Sequence, residues 1–114
     1  MSNFKYDVAV IGLGYVGLPL AIQATSSNLK VYGYDIDENK ISNYNLGKST
    51  IEDISDKELK ASLEKGLFLS SDPKYLSESE TIVISVPTPL TDYQPDLSYV
   101  KAAAETIAKN ITKN

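Results

Sequence analysis

No cysteine, no histidine and no arginine occur among these 114 residues. Without cysteine there is neither a disulfide nor a thiolate nucleophile, and without histidine there is no imidazole base. Together the two absences exclude Cys/His metal sites. Carboxylates, lysines, hydroxyls and backbone remain, a set that restricts catalysis far more than ligand binding. The lack of arginine has a different consequence. All 11 basic residues are lysines, scattered without clustering, and the formal charge is −4. That balance speaks against a nucleic acid or an anionic membrane as partner. Any phosphate the chain holds must be held mainly by backbone N–H groups.

Long apolar runs are also scarce. One stretch, Val8 to Ala24, carries no charge, but Gly12, Gly14, Gly17 and Pro19 interrupt it and Asp7 abuts its start. A membrane span needs ~20 apolar residues with few breakers. Cleavage at Ala24 would place bulky Ile22 where a signal peptide needs a small residue. The default location is therefore the cytoplasm. Hydrophobic content of 42% and charged content of 23% are those of an ordinary globular domain, and the length suits one compact unit.

Strand and helix signals alternate along the chain. Asp7 to Ile11 is a short apolar, β-branched run ending at glycine, which predicts a buried parallel strand. A glycine-rich turn and a helix from about Tyr15 to Ser27 follow. Lys30 to Tyr34 is a second strand, closed by Asp35. Asp37 can cap a short helix that carries Ile41 and Tyr44 on one face. Gly47 to Ile54 reads as loop. Ser55 and Glu58 have capping-box spacing for a helix with Leu59 and Leu63 that ends at Gly66. Leu67 to Ser70 is a short third strand, and Asp72-Pro73 starts a brief helix through Leu76. Thr81 to Val86 is the strongest strand signal. Asp96 is placed to cap a last helix with an apolar stripe of Val100, Ala104, Ile107, Ala108 and Ile111. This alternation predicts an α/β fold: a doubly wound, Rossmann-type parallel sheet with strand order 3-2-1-4. The full fold has two further strands, so residues 1–114 are expected to be an incomplete domain of this kind. Its fourth strand would then be an unpaired edge, prone to associate with another copy.

Gly12-Leu13-Gly14-Tyr15-Val16-Gly17 is a G-x-G-x-x-G that follows a strand, opens a helix, and has Asp35 at the end of the next strand. The string alone is weak; this context is what the dinucleotide fingerprint requires. Gly12 permits the tight turn, Gly14 lets a pyrophosphate approach the backbone, and Gly17 lets helix and strand pack closely. The helix N-terminus supplies unpaired N–H groups and roughly half a positive charge. Asp35 is placed to accept from the adenosine ribose hydroxyls, which favours NAD over NADP because a 2′-phosphate would meet a carboxylate. Val86-Pro87-Thr88-Pro89 ends the fourth strand beside the switch point where such ligands lie; it could equally be an ordinary Pro-rich strand terminator.

Taken together, Ile11 to Ala21, Gly33-Tyr34-Asp35-Ile36-Asp37 with Lys40, Val86 to Pro89 and Pro95-Asp96-Leu97-Ser98 resemble the UDP-glucose/GDP-mannose dehydrogenase family in its N-terminal NAD-binding domain. The resemblance covers nearly the whole chain. It implies oxidation of C6 of a nucleotide-linked hexose to a carboxylate in two hydride transfers to NAD, within polysaccharide biosynthesis. It also implies that Tyr15 and Val16 lie along the cofactor, that Asp35, Ile36 and Lys40 hold the adenosine end, and that Val86, Pro87 and Thr88 stand near the cofactor on its nicotinamide side. By itself Lys40 would read as a solvated helix lysine. The family's catalytic cysteine, lysine and asparagine lie beyond position 114, so no catalytic residue and no metal ligand is expected here. The nucleotide sugar would be held through parts outside this chain, and the chain alone is expected to turn over nothing. Ser49 to Ile54 and Pro95 to Val100 look more like the UDP-N-acetylhexosamine branch, although Ile51 and Ile54 could simply anchor a surface loop. The alternative from another class is a non-catalytic nucleotide-sensing Rossmann module, as in potassium-transport regulators; an S-adenosylmethionine methyltransferase fits less well, because its loop usually lacks the third glycine.

Overall fold

The computed structural model describes residues 4–86, 90–91, 94–95 and 97–110. Four parallel strands, β1 (Tyr6–Ile11), β2 (Val31–Tyr34), β3 (Phe68–Ser70) and β4 (Ser79–Ile84), lie in the order β3-β2-β1-β4. Helices α1 (Gly17–Ser26), α2 (Glu38–Asn45) and α3 (Asp56–Lys65), with a 3₁₀ helix at Pro73–Glu78, make the crossovers. A two-residue antiparallel pair, β5 (Leu90–Thr91) with β6 (Gln94–Pro95), precedes α4 (Ser98–Asn110).

Side chains alternate across the sheet, and each face has its own core. Val10 and Val31 face α1, α2 and α3, where they pack with Leu13, Leu18, Tyr44, Leu59 and Leu69. Ala9, Ile11, Tyr32 and Tyr34 face the 3₁₀ helix and α4, with Leu76 and Ala103. Tyr6, Tyr32, Phe68 and Tyr75 form an aromatic cluster on this second face, including a stacked Tyr6–Phe68 pair at 5.9 Å and an edge-on Phe68–Tyr75 pair at 4.9 Å. Such pairs contribute beyond the area they bury.

Capping residues work as their spacing predicts. The Asp37 side chain accepts from the Asn39 and Lys40 amides at 3.0 and 3.1 Å. Ser55 and Glu58 complete a capping box, and Gly66 closes α3 at φ 122°. Asp72 caps the 3₁₀ helix, with Pro73 in its first turn.

Three expectations need correction. The first helix begins at Gly17 rather than Tyr15, because Gly14 to Val16 form the turn itself. The fourth strand runs Ser79–Ile84, two residues earlier than its apolar core suggested; the Ser85 amide still donates to the Ile11 carbonyl at 2.7 Å. In α4 the buried side is Ala103 with half-buried Val100 and Ile107, whereas Ala104 and Ala108 are exposed. Alanine fits either face, so its spacing could not choose between them. Ile111 and the cap at Asp96 lie outside the described residues, and the β5–β6 pair carried no sequence signal that we read. Strand β4 has one partner, β1, among the described residues, and Glu80, Thr81 and Ile84 on it are exposed.

Burial raises the phenols of Tyr6, Tyr32, Tyr34 and Tyr44 above the ordinary tyrosine range. Folded phenols therefore keep their protons to higher pH than unfolded ones, whose pKa is about 10. This contribution to stability is fully present below that value and is lost as pH rises through the folded pKa values. Melting temperature should fall progressively above pH ~10, with the part of the phenolate absorbance that belongs to the four buried tyrosines appearing together with unfolding. A melting temperature flat through that range would contradict it.

Candidate functional site

The carboxyl ends of β1 and β4 lie side by side, with Ile11 opposite Ile84. The chain leaves β1 for α1 on one face, and β4 leads towards α4 on the other. This is the switch point where open α/β sheets form a ligand crevice. A cleft of about 760 Å³ opens there, between the glycine loop, the end of β2 and one side of α4. That volume falls within the ~300–1,000 Å³ of ordinary small-molecule sites.

Each glycine of the loop has a visible reason. Gly12 sits at φ 96°, its amide donates to the Tyr34 carbonyl at 2.8 Å, and a methyl on it would overlap the Ser85 carbonyl of the neighbouring strand. A methyl on Gly17 would fall inside the Gly12 carbonyl, so the loop closes on its own backbone. Gly14 differs: among the described residues, no atom beyond its chain neighbours lies within 4 Å of where its Cβ would be, although it lines the cleft. The protein leaves that space open, and a closely approaching ligand is what it suits.

Helix α1 also begins differently from α2 and α3. Val16 at its start offers no side-chain cap, and no acidic residue occupies the first turn. Among the described residues no hydrogen bond engages the amides of Gly14, Tyr15 or Val16. Unsatisfied amides with the positive end of a helix dipole fit a diphosphate in a chain that has no arginine.

Asp35 follows the last residue of β2 and lines the cleft, 9% exposed. One carboxylate oxygen accepts the Leu13 amide at 2.9 Å, and the other accepts the Asp37 amide at 2.9 Å. Lys40 approaches the first oxygen at 3.5 Å. The carboxylate thus ties the glycine loop to the start of α2 and keeps a lone pair free on the oxygen that accepts from Asp37. Sequence reading foresaw the position of Asp35 but not this bracing role. Lys40 is not an ordinary solvated lysine, since it is half-buried beside Asp35 in the cleft wall.

The structure brings Gly12, Gly14, Tyr15, Val16, Asp35, Ile36, Lys40 and Val86 to one cleft, with Gly17 packed immediately behind it. Tyr15, Val16 and Ile36 stand 76%, 69% and 80% exposed at its rim, large apolar groups left for something to cover. Pro87 and Thr88 lie outside the described residues. Sequence reading missed Ser85 and the α4 wall of Tyr99, Ala102, Ala103 and Thr106. Spacing i, i+3, i+4, i+7 marks those four as one helix face, but only the tertiary fold turns that face towards the glycine loop. The Ile51 and Ile54 pair is buried in the first core, which accounts for both residues as anchors of the loop between α2 and α3.

Comparison with known proteins agrees with this geometry. Residues 6–114 match the NAD binding domain of the UDP-glucose/GDP-mannose dehydrogenase family. A UDP-N-acetyl-D-mannosamine dehydrogenase from Pyrococcus horikoshii is 42% identical over 104 residues, 90% of this chain and 25% of that protein. The solved structure of the Pyrococcus enzyme superposes with a TM-score of 0.86 at 41% identity, over 92% of this chain and 26% of that one. A ternary complex of GDP-mannose dehydrogenase from Pseudomonas aeruginosa gives 0.81 at 30% identity, over 88% and 24%. The chain thus spans about a quarter of the length of the relatives it matches. By the match over residues 6–114 and the similarity of these relatives, it belongs to the UDP-glucose/GDP-mannose dehydrogenase family, as that family's NAD-binding domain.

Proposed function

We infer that the cleft holds NAD as the hydride acceptor of a nucleotide-sugar 6-dehydrogenase, which takes C6 of a UDP-hexose or UDP-N-acetylhexosamine to the uronic acid. The observation that carries this reading is the open space at Gly14 beside three amides that no hydrogen bond engages among the described residues, with Asp35 in the same cleft. NAD, when bound, accepts the hydride; the residues of this chain bind and orient it. Gly14, Tyr15 and Val16 would offer amides to the diphosphate, with Gly12 and Gly17 shaping the turn. Asp35 would accept from a ribose hydroxyl with its remaining lone pair, Lys40 would donate at the same end, and Ile36 would cover the adenine. Val86, Pro87 and Thr88 would border the other half of the cofactor. Family relatives named for UDP-N-acetyl-D-mannosamine support the N-acetylhexosamine branch; the Ser49 to Ile54 loop adds nothing to that choice, since its isoleucines are core anchors.

We further propose a cytoplasmic setting in polysaccharide precursor synthesis, and association of copies through the exposed edge of β4. Among the described residues no helix is long and apolar enough to cross a membrane; the uncharged run from Val8 is divided between β1 and α1.

Cofactor choice is the direct test. Lys40 partly offsets the charge of Asp35, but its distance is longer than those of the two amides and it is more exposed, so its field is better screened. A 2′-phosphate should still meet net repulsion and a desolvation cost. Calorimetric titration should show NADP at least about tenfold weaker than NAD, with ATP and S-adenosylmethionine weaker again. Equal affinities for NAD and NADP would remove the role given to Asp35. Tighter binding of ATP would favour a nucleotide-sensing module instead.

A further inference from the structure

Tyr44 belongs to no motif, yet its hydroxyl reaches the glycine loop. The residue is fully buried, and its hydroxyl lies 2.8 Å from the carbonyl oxygen of Leu13, itself fully buried, and 3.0 Å from the Thr50 hydroxyl. A carbonyl can only accept, so the single phenolic proton goes to Leu13. Thr50 must then donate to Tyr44. The hydrogen bonds run in one direction, from Thr50 through Tyr44 to Leu13, and burial pushes the Tyr44 phenol up so that it stays a donor.

The same residue, Leu13, gives its amide to Asp35 at 2.9 Å. Leu13 is therefore held on both sides, by a carboxylate at its N–H and a phenol at its C=O. The next group along the chain is the amide of Gly14. In a trans peptide the C=O and the following N–H point in opposite directions, and the described residues contain no cis peptide. With the Leu13 carbonyl drawn inward to Tyr44, the Gly14 N–H must point the other way. Gly14 lines the cleft, and no described residue accepts from its amide.

We propose that Tyr44, backed by Thr50, is a positioning residue that holds the Leu13–Gly14 peptide with the Gly14 amide turned towards the cofactor diphosphate. This rests on the reading of the cleft as an NAD site and extends it to the loop between α2 and α3, where Thr50 sits between the anchors Ser49 and Ile51. A glycine on each side of Leu13 leaves the loop able to rotate that peptide. Two side-chain hydrogen bonds remove the freedom before the ligand arrives, so binding does not have to order it. Tyr44 is not among the residues that line the cleft; it acts through the backbone.

The test uses Tyr44→Phe, which keeps the ring in the core and deletes the donor, and Thr50→Val, which leaves the Tyr44–Leu13 bond but removes its backing. Each 114-residue chain is titrated with NAD and with adenosine, which lacks the diphosphate, and the Gly14 amide resonance is followed. For Tyr44→Phe, NAD should bind roughly tenfold more weakly, with adenosine affinity changed less than about twofold. Thr50→Val should show a smaller loss of the same kind, about threefold. The Gly14 resonance should move in both variants before any ligand is added. Unchanged NAD affinity in Tyr44→Phe would overturn the proposal and leave the NAD reading intact. So would an equal loss for NAD and adenosine, which would mean a merely structural role. Should Tyr44→Phe not fold, Thr50→Val decides by the same comparison. A wild-type chain that binds no NAD would overturn the cofactor reading itself, and this proposal with it.

Discussion

Replacing Gly17 by alanine is expected to abolish NAD binding and to lower the melting temperature by on the order of 10–20 °C, whereas the same change at Gly14 should spare stability and cost only affinity. The two glycines are three residues apart in one motif, and their surroundings are opposite. The added methyl at Gly17 would coincide with the Gly12 carbonyl, which is backbone, in a residue held in turn by the hydrogen bond its N–H donates to the Tyr34 carbonyl. Overpacking that flexible side chains can absorb costs about 1–3 kcal/mol, and a backbone clash lies at or beyond the upper end. For a chain of this size each kcal/mol shifts the melting temperature by about 4–8 °C. Relief would require the start of α1 to move away from β1, carrying with it the amides the diphosphate needs.

At Gly14 a methyl meets no described atom beyond the chain neighbours within 4 Å, and the position is not among those with positive φ. Stability should change by no more than about 0.5 kcal/mol, as for a surface substitution. NAD affinity should fall at least about tenfold, because the methyl would stand where the pyrophosphate approaches. Thermal melts and titrations of both variants check the pair. Gly14→Ala binding NAD as the wild type does would mean that no ligand approaches the loop at that point. A stable, NAD-binding Gly17→Ala would mean that the loop does not close on Gly12 as described.

Asp35→Asn should lose both stability and cofactor. The carboxylate meets two backbone amides, one on each oxygen, and both are donors. Asparagine offers one acceptor and one NH₂ group, so whichever way it turns, one buried N–H faces another N–H. An unsatisfied buried donor costs about 1–3 kcal/mol, and the remaining bond is no longer charge-assisted. The melting temperature should therefore fall by roughly 5–15 °C. NAD affinity should drop by about tenfold to a hundredfold, because the ribose loses an acceptor while the glycine loop loses its brace. Lys40→Ala provides the contrast. Its ion pair with Asp35 is partly exposed and long at 3.5 Å, so stability should change by less than about 1 kcal/mol. An Asp35→Asn chain as stable as the wild type would show that the Leu13 and Asp37 amides find other acceptors.

These expectations rest on features that were unequally legible along the chain. The turn from β1 into α1, the caps at Asp37, Ser55 and Asp72, and the end of α3 at Gly66 could all be read directly. Each depends on residues within a few positions of one another, where stereochemistry and a single hydrogen bond decide the outcome. The acidic end of β2 was legible as well, because a strand's length sets where its last residue emerges. The family resemblance rested on the same local signals and proved correct.

Packing across the sheet decided the rest. The register of β4 follows its pairing with β1, so the strand begins at Ser79, ahead of its apolar residues. Which face of α4 is buried depends on the 3₁₀ helix and sheet beneath it, and a helix rich in alanine carries too little contrast to reveal that. Tyr99 and Thr106 enter the cleft wall only because the crossover after β4 brings α4 across to the glycine loop. Likewise the bond from Tyr44 to Leu13 joins residues 31 apart in sequence. Hydrogen bonds of that separation are set by how helices settle on a sheet, which follows from the shape of the whole core and not from any one stretch of residues.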